Sequence, residues 1–302
     1  MIKNFYSNGK LLITGEYGVL DGGLSLALPT KLGQSLSVVP NSTNTLHWQS
    51  IDHLKNMWFE VTFEIKTLTI ITTNEQQTAE VLQKMLLEAK KLNPLFLSDP
   101  TGYKAQTLLD FPRDWGLGSS STLLNNIAQW ATINPYTLLW NSFTGSGYDI
   151  ACAKHNTPIL YQLVHKKPTV TEVVFCPEFS DALYFIHLNK KQNSREGILN
   201  YRKANFNTQE FISEINILTN TLIHCKDLER FKRVISKHET LIGKTLNLKP
   251  VKSLLFPDYE GAIKSLGAWG GDFILAAGDR STPSYFKEKG YKTVVAYKDM
   301  IL

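Results

Sequence analysis

The sequence predicts an α+β protein of two domains, and three observations carry that prediction. The chain has 302 residues; its first 40 positions read as strands broken by glycine turns; and strand-like and helical stretches alternate on a short scale after about position 180. A chain of this length exceeds the roughly 250 to 300 residues at which one hydrophobic core stops growing. Two domains sharing a cleft follow, with a boundary between about 165 and 180, taken as domains 1–170 and 171–302. Short-range alternation of strands and helices in the second half gives an α+β sandwich there.

In chain order, Lys10-Leu11-Leu12-Ile13-Thr14 is apolar and partly β-branched, and Gly15, Gly18, Gly22 and Gly23 then punctuate a strand, loop, strand unit. Between Trp58 and Thr72, Phe59, Val61, Phe63 and Ile65 share one parity, which predicts a half-buried strand or hairpin. Asn74 with Gln77 three residues on forms a capping box, and Ala79, Leu82, Met85, Leu86 and Ala89 recur at helical spacing, predicting a helix over 75–92. Leu123, Leu124, Ile127, Ala128 and Ala131 give the buried face of a helix beginning near Ser121. A second small-residue loop, Thr144 to Gly147, precedes strand-like Pro158 to Val164. Beyond the boundary come a strand at Ala182 to Ile186, two helices carrying Phe211 to Leu222 and Leu228 to Ile242, and strands at Phe273 to Ala277 and Thr293 to Tyr297.

A hydrophobic fraction of 43% with 20% charged residues is that of a folded soluble chain and argues against disorder. The net charge of +5 comes from basic residues scattered among acids, with no run of five, so the footprint of a nucleic-acid binder is absent and an anionic small substrate is compatible. Cys152, Cys176 and Cys225 are odd in number and form no CxxC pair, which favours neither a disulfide framework nor a zinc site and predicts a reducing, cytoplasmic compartment. Met1 to Phe5 contains no apolar leader core, and nowhere do 18 apolar residues run together, so neither export nor a membrane partner is expected.

The chemistry concentrates in Trp115-Gly116-Leu117-Gly118-Ser119-Ser120-Ser121, which feeds a predicted helix. A helix N-terminus offers unpaired N–H groups and the positive end of its dipole, and a glycine and serine loop lets a polyphosphate approach them. Serine hydroxyls also suit Mg²⁺, which prefers hard oxygen ligands. The same composition also fits a serine cap on an ordinary core helix. No Gly-Lys-Ser/Thr ends the loop and GxGxxG is not met, so it is neither of the two common nucleotide-binding fingerprints.

Three segments in order resemble the GHMP kinase superfamily, which includes galactokinase, homoserine kinase, mevalonate kinase and phosphomevalonate kinase. Asn8-Gly9-Lys10-Leu11-Leu12-Ile13-Thr14-Gly15-Glu16-Tyr17-Gly18-Val19 looks like the N-terminal motif, with Asn8 where proline is usual. Gly116-Leu117-Gly118-Ser119-Ser120-Ser121 matches the phosphate motif, with Gly145-Ser146-Gly147-Tyr148-Asp149 as the segment bearing the catalytic aspartate. Lys264 to Asp272 resembles the C-terminal loop that closes the site, with Leu266 and Trp269 where small or hydroxylated residues are usual.

The resemblance implies a mixed-sheet N-terminal domain and a ferredoxin-like C-terminal domain around a shared cleft, with ATP and Mg as cofactors. It assigns catalysis to Asp149 and Lys10. ATP binding falls to Gly116, Leu117, Gly118, Ser119, Ser120 and Ser121 with Gly267, Ala268, Gly270 and Gly271. Substrate contacts fall to Glu16, Tyr17, Gly147 and Arg195, and the metal to Ser120. No Asp or Glu lies between Asp114 and Asp149, where mevalonate kinases carry a glutamate metal ligand, so Ser120, phosphates and water would hold the ion. Asn193-Ser194-Arg195 also looks like a family segment.

Gly15-Glu16-Tyr17, Gly145 to Asp149 and Gly270-Gly271-Asp272 lean toward the phosphomevalonate kinase branch. The implied acceptor is mevalonate or phosphomevalonate, an anion that Lys10, Arg195 or Lys264 would help bind. A homoserine or sugar kinase, or a non-catalytic nucleotide-binding regulator with the same fold, are the alternatives, and the family leaves a homodimer open.

Overall fold

The structure is a computed structural model that describes every residue except Asn193, with Ser194 described by its backbone alone. The chain divides into two units: residues 1–9, 32–113 and 117–154 form the first, and residues 10–31, 114–116 and 155–302 the second. This differs from a single cut near position 170. Two long strands account for the interleaving. β1 (Lys3–Thr14) and β2 (Ser25–Asn41), of 12 and 17 residues, each contribute one stretch to either unit. At about 3.3 Å per residue, a strand of that length outruns the width of one small sheet.

In the first unit β3 (Thr45–Ile51), β4 (Met57–Glu64), β5 (Ile70–Thr73) and β6 (Gly102–Leu109) build a mixed sheet in the order β5-β4-β3-β6-β2. β3 and β6 run parallel and the other neighbours antiparallel. Phe59, Val61, Phe63 and Ile65 are buried as their parity predicts, and the segment is a hairpin that turns between Glu64 and Ile70. Helices α1 (Gln76–Leu92), α2 (Ser119–Ala131), α3 (Pro135–Ser142) and α4 (Tyr148–Lys154) complete the unit. The cap of α1 is Glu75 rather than Asn74: the Glu75 carboxylate accepts the amides of Gln77 and Thr78, while Asn74 Oδ1 accepts the Glu60 amide. Asn74 is therefore used to close the hairpin edge.

The second unit pairs β2 with β7 (Ile159–Val164), and β7 with β8 (Lys167–Glu172). β9 (Leu183–His187) is followed by α5 (Ser194–Lys203), α6 (Thr208–Ile223), α7 (Leu228–Leu246) and α8 (Val251–Leu255). β10 (Ala262–Ser265), β11 (Phe273–Ala277), α9 (Thr282–Glu288), β12 (Val294–Ala296) and α10 (Tyr297–Met300) complete it. β9 to β12 form an antiparallel sheet in the order β10-β11-β9-β12, which is the ferredoxin-like arrangement. β10 and β11 are buried at every position, so they read as short continuous apolar runs rather than alternating ones. Among the described residues no helix is long and apolar enough to cross a membrane.

Candidate active site

Two groups of sequence-singled residues come together, one in each unit. In the first unit, Gly118 has φ 89° and is the N-cap of α2, and no side chain caps this helix. The N-termini of α1, α3, α6 and α7 are closed by Glu75, Asn134, Asn207 and Asp227. The first amides of α2, at Ser119 and Ser120, therefore keep their hydrogens for an external acceptor. The helix starts at Ser119, two residues earlier than the apolar pattern suggests, because Ser121 and Thr122 already donate to the Gly118 carbonyl.

Ser121, buried, donates its hydroxyl to Asp149 Oδ2 in the first turn of α4. Gly147, at φ 89°, makes the turn into that helix, and its carbonyl accepts the Ala151 amide. Asp149 is half-buried with its other oxygen on the Ile150 amide. The helix bearing the serine loop is itself anchored through polar side chains on its buried face. Asn126 accepts from Ser7 Oγ at 2.7 Å and donates to the Gln34 carbonyl at 2.9 Å, and Asn125 donates to Ser7 Oγ at 2.9 Å. Two adjacent asparagines in an apolar helix were the available signal for this anchoring, and the apolar periodicity alone passes over them.

In the second unit, Lys10 is half-buried and its ammonium donates to the Gly116 carbonyl at 2.9 Å. Gly116 has φ 66°, and a Cβ there would stand 2.5 Å from the Asp272 carboxylate. Asp272 Oδ1 also accepts the Gln192 amide. Gly116 and the end of the third motif are thus fitted closely together.

Glu16 does not face solvent. It is 1% exposed and takes the ammonium of Lys264, which is itself fully buried. Lys264 also lies 3.7 Å from Glu239, whose carboxylate accepts the amide and hydroxyl of Ser265 at 3.0 and 2.6 Å. Burial outweighs the lysine and raises the Glu16 carboxyl to about 7, and burial raises Glu239 as well. His238 Nε2 lies 3.5 Å from Glu16, but it accepts the Gly15 amide, so the ring is neutral and the two form no ion pair. Burial and the nearby Lys264 charge hold His238 well below its ordinary value. Both groups, expected as substrate contacts, are here engaged with each other and join the first motif to the start of the third.

Tyr17 follows at φ 61° and donates its hydroxyl to the Ala268 carbonyl at 3.0 Å. Gly197 of α5 leaves room for it, since a Cβ there would meet the Tyr17 hydroxyl at 2.7 Å. In the third loop Gly267, Trp269, Gly270 and Asp272 all have positive φ. Trp269, 3% exposed, packs with Tyr17, Tyr201, Phe211, Ile215 and Ile242, so its bulk fills a helical core under the loop. Leu266 is likewise buried. Arg195 is exposed in the first turn of α5; of the segment quoted with it, Asn193 lies outside the described residues.

Among the described residues no group of three His, Cys, Asp or Glu could hold a metal ion. Ser120 is exposed and its hydroxyl is unengaged by the described residues, a hard oxygen donor at the uncapped helix start. That donor fits Mg²⁺ held largely by phosphate and water oxygens.

The whole chain is similar to solved kinases. A phosphomevalonate kinase from Streptococcus pneumoniae, in complex with phosphomevalonate and AMPPNP, is 15% identical with TM-score 0.70, over 95% of each chain. The fold is that of the GHMP kinases. Mevalonate kinase from Methanococcus jannaschii is 15% identical with TM-score 0.68, covering 97% of this chain and 96% of its own. Galactokinase from Lactococcus lactis, complexed with galactose, is 12% identical with TM-score 0.67, covering 95% and 88%. No family model and no curated protein sequence matches the chain.

Proposed function

We propose that the protein is an ATP- and Mg-dependent small-molecule kinase that transfers the γ-phosphoryl group to a hydroxyl of an anionic acceptor of mevalonate-pathway type, mevalonate or phosphomevalonate. The hydrogen bond from Ser121 to Asp149 carries this reading. It ties the helix whose free N-terminal amides suit a polyphosphate to the carboxylate that the resemblance makes the catalytic one.

In this reading the amides of Ser119 and Ser120 bind phosphate oxygens, and Ser120 Oγ would share the Mg²⁺ with phosphates and water. Asp149 orients the acceptor hydroxyl and takes its proton as that oxygen bonds to the γ-phosphorus. The bond to the β,γ-bridging oxygen then breaks and ADP leaves. Lys10, fixed on the Gly116 carbonyl, supplies positive charge toward the transferred group. Tyr17, Gly147 and Arg195 remain the proposed acceptor contacts, and Gly267, Ala268, Gly270 and Gly271 the proposed closing loop. Glu16 holds the turn that presents Tyr17.

The test is ADP release from Mg-ATP with mevalonate, phosphomevalonate, homoserine and galactose in turn. Turnover with one acceptor, lost in Asp149→Asn, supports the kinase and names its substrate class. Nucleotide binding with no acceptor-dependent ADP release would overturn it in favour of a nucleotide-binding regulator.

A further inference from the structure

The second unit contains a cavity of about 260 Å³ that the three kinase motifs leave unexplained. Its apolar wall is made by Leu246 and Leu248 at the end of α7, Val251 and Leu254 of α8, and the indole of Trp269. Leu248 and Leu254 are 47% and 57% exposed, so the apolar wall continues to the mouth of the hollow. At about 30 Å³ per water, the space equals roughly nine waters, enough for a compact ligand.

The polar lining is asymmetric. Lys190 and Lys249 both border the cavity, and neither ammonium has an ion-pair partner among the described residues. Glu196 is the one acidic residue of the lining, leaving a net positive rim. Asn200 and Gln192 add neutral hydrogen-bonding groups. The Trp269 indole N–H is buried and has no acceptor among the described residues, so the lining includes one unmet donor.

We infer that this cavity binds a small amphipathic anion, a carboxylate or monophosphate on a compact aliphatic body. The aliphatic part lies on Leu246, Leu248, Leu254 and the Trp269 ring, and the anionic head lies at Lys190 and Lys249. Tyr17 and Ala268, joined by their hydrogen bond, border the same cavity, so an occupant touches the loop that carries the third motif. The anion is either the phosphoryl acceptor, an assignment that rests on the proposed function, or a separate effector, and the two share this chemistry.

The experiment uses the full chain without nucleotide, so its outcome is independent of kinase turnover. Indole ¹⁵N–¹H spectra, with Trp269 assigned from Trp269→Phe, follow titration with 3-methylbutanoate, 3-methylbutyl phosphate and neutral 3-methylbutanol. The Trp269 resonance is expected to move saturably with both anions, which should bind roughly three- to tenfold more tightly than the alcohol. Lys249→Glu should weaken the anions by a similar factor and leave the alcohol unchanged, and Leu254→Asp should weaken all three. Both positions are exposed, and unchanged backbone amide spectra will confirm that the variants fold. Displacement of the probes by mevalonate or phosphomevalonate assigns the cavity to the acceptor, and co-binding with either assigns it to an effector. An unmoved Trp269 resonance at millimolar probe, equal affinity for alcohol and anions, or unaltered binding in Lys249→Glu would overturn the inference.

Discussion

Ser121 donates its hydroxyl hydrogen to Asp149, so the first turn of α2 and the first turn of α4 share one hydrogen bond. That bond makes the aspartate testable with little disturbance. In Asp149→Asn the amide oxygen still accepts from Ser121, while the negative charge and the bond from the Ile150 amide are lost. Acceptor-dependent ADP release should fall by roughly 10² to 10⁴-fold, the range of general acid–base contributions, with nucleotide affinity within about threefold of wild type. Ser121→Ala, which keeps the charge and frees its orientation, should lose about tenfold. Near-full turnover in Asp149→Asn would remove Asp149 from the mechanism.

Gly116 tests the close approach of its backbone to Asp272 at the end of the third motif. Its φ of 66° suits glycine, and an added Cβ would stand 2.5 Å from Asp272 Cγ. Gly116→Ala should cost roughly 1 kcal/mol for the left-handed backbone and more for the clash. Adding Asp272→Ala should recover most of the clash, less the cost of the Gln192 bond, which the Asp272→Ala single variant measures. Urea unfolding of the three variants measures these parts, and an undiminished midpoint in Gly116→Ala would contradict the close approach.

The sequence disclosed what is local. The parity of Phe59 to Ile65, the helical spacing of Ala79 to Ala89 and the glycine and serine composition before α2 each reflect a neighbour a few residues away, and each element forms where its pattern lies. Glu16 and Lys264 are 248 positions apart, and no periodicity announces that one buried charge answers the other. The resemblance offered Glu16 as a substrate contact and Lys264 as a help in binding an anion, and neither reading includes their burial, in which the desolvation of one requires the presence of the other. Trp269 is a similar case: it stands where small or hydroxylated residues are usual, and no local pattern announces that it packs against Tyr17, Tyr201 and Ile242. The interleaved units were equally hidden, since the pattern marks where β1 and β2 are strands but not which stretch of each strand packs in which core.

Lys264→Met should be among the most destabilising single changes in the chain. It leaves Glu16 and Glu239 buried beside each other without their shared cation. Breaking such a cluster costs roughly 3 to 5 kcal/mol, whereas replacing all charged members is often neutral. The triple variant Lys264→Met, Glu16→Gln, Glu239→Gln should therefore recover most of the loss in denaturant unfolding. A triple variant no more stable than Lys264→Met alone would show that the lysine acts through packing rather than charge.

His238 and Glu16 give stability two opposed dependences on pH. His238 is held well below its ordinary 6.5 by burial and Lys264, so below that pH the unfolded chain takes up a proton there that the folded chain refuses. Stability from this residue is present above about 6.5 and falls on acidification, by up to roughly 1.4 kcal/mol per pH unit. Glu16, raised by burial from 4.5 to about 7, acts in the other sense. Its folded form holds the proton more tightly, so its contribution is full below 4.5 and is lost as pH rises through 7. Between 4.5 and 6.5 the two slopes oppose each other. His238→Asn removes the first and leaves the second, so across that window its stability should decline with rising pH relative to wild type. Unfolding midpoints of both proteins from pH 4.5 to 7.5 measure the difference. Parallel profiles would mean that His238 is not held neutral in the folded protein, and that the Gly15 amide is not bonded to an unprotonated Nε2.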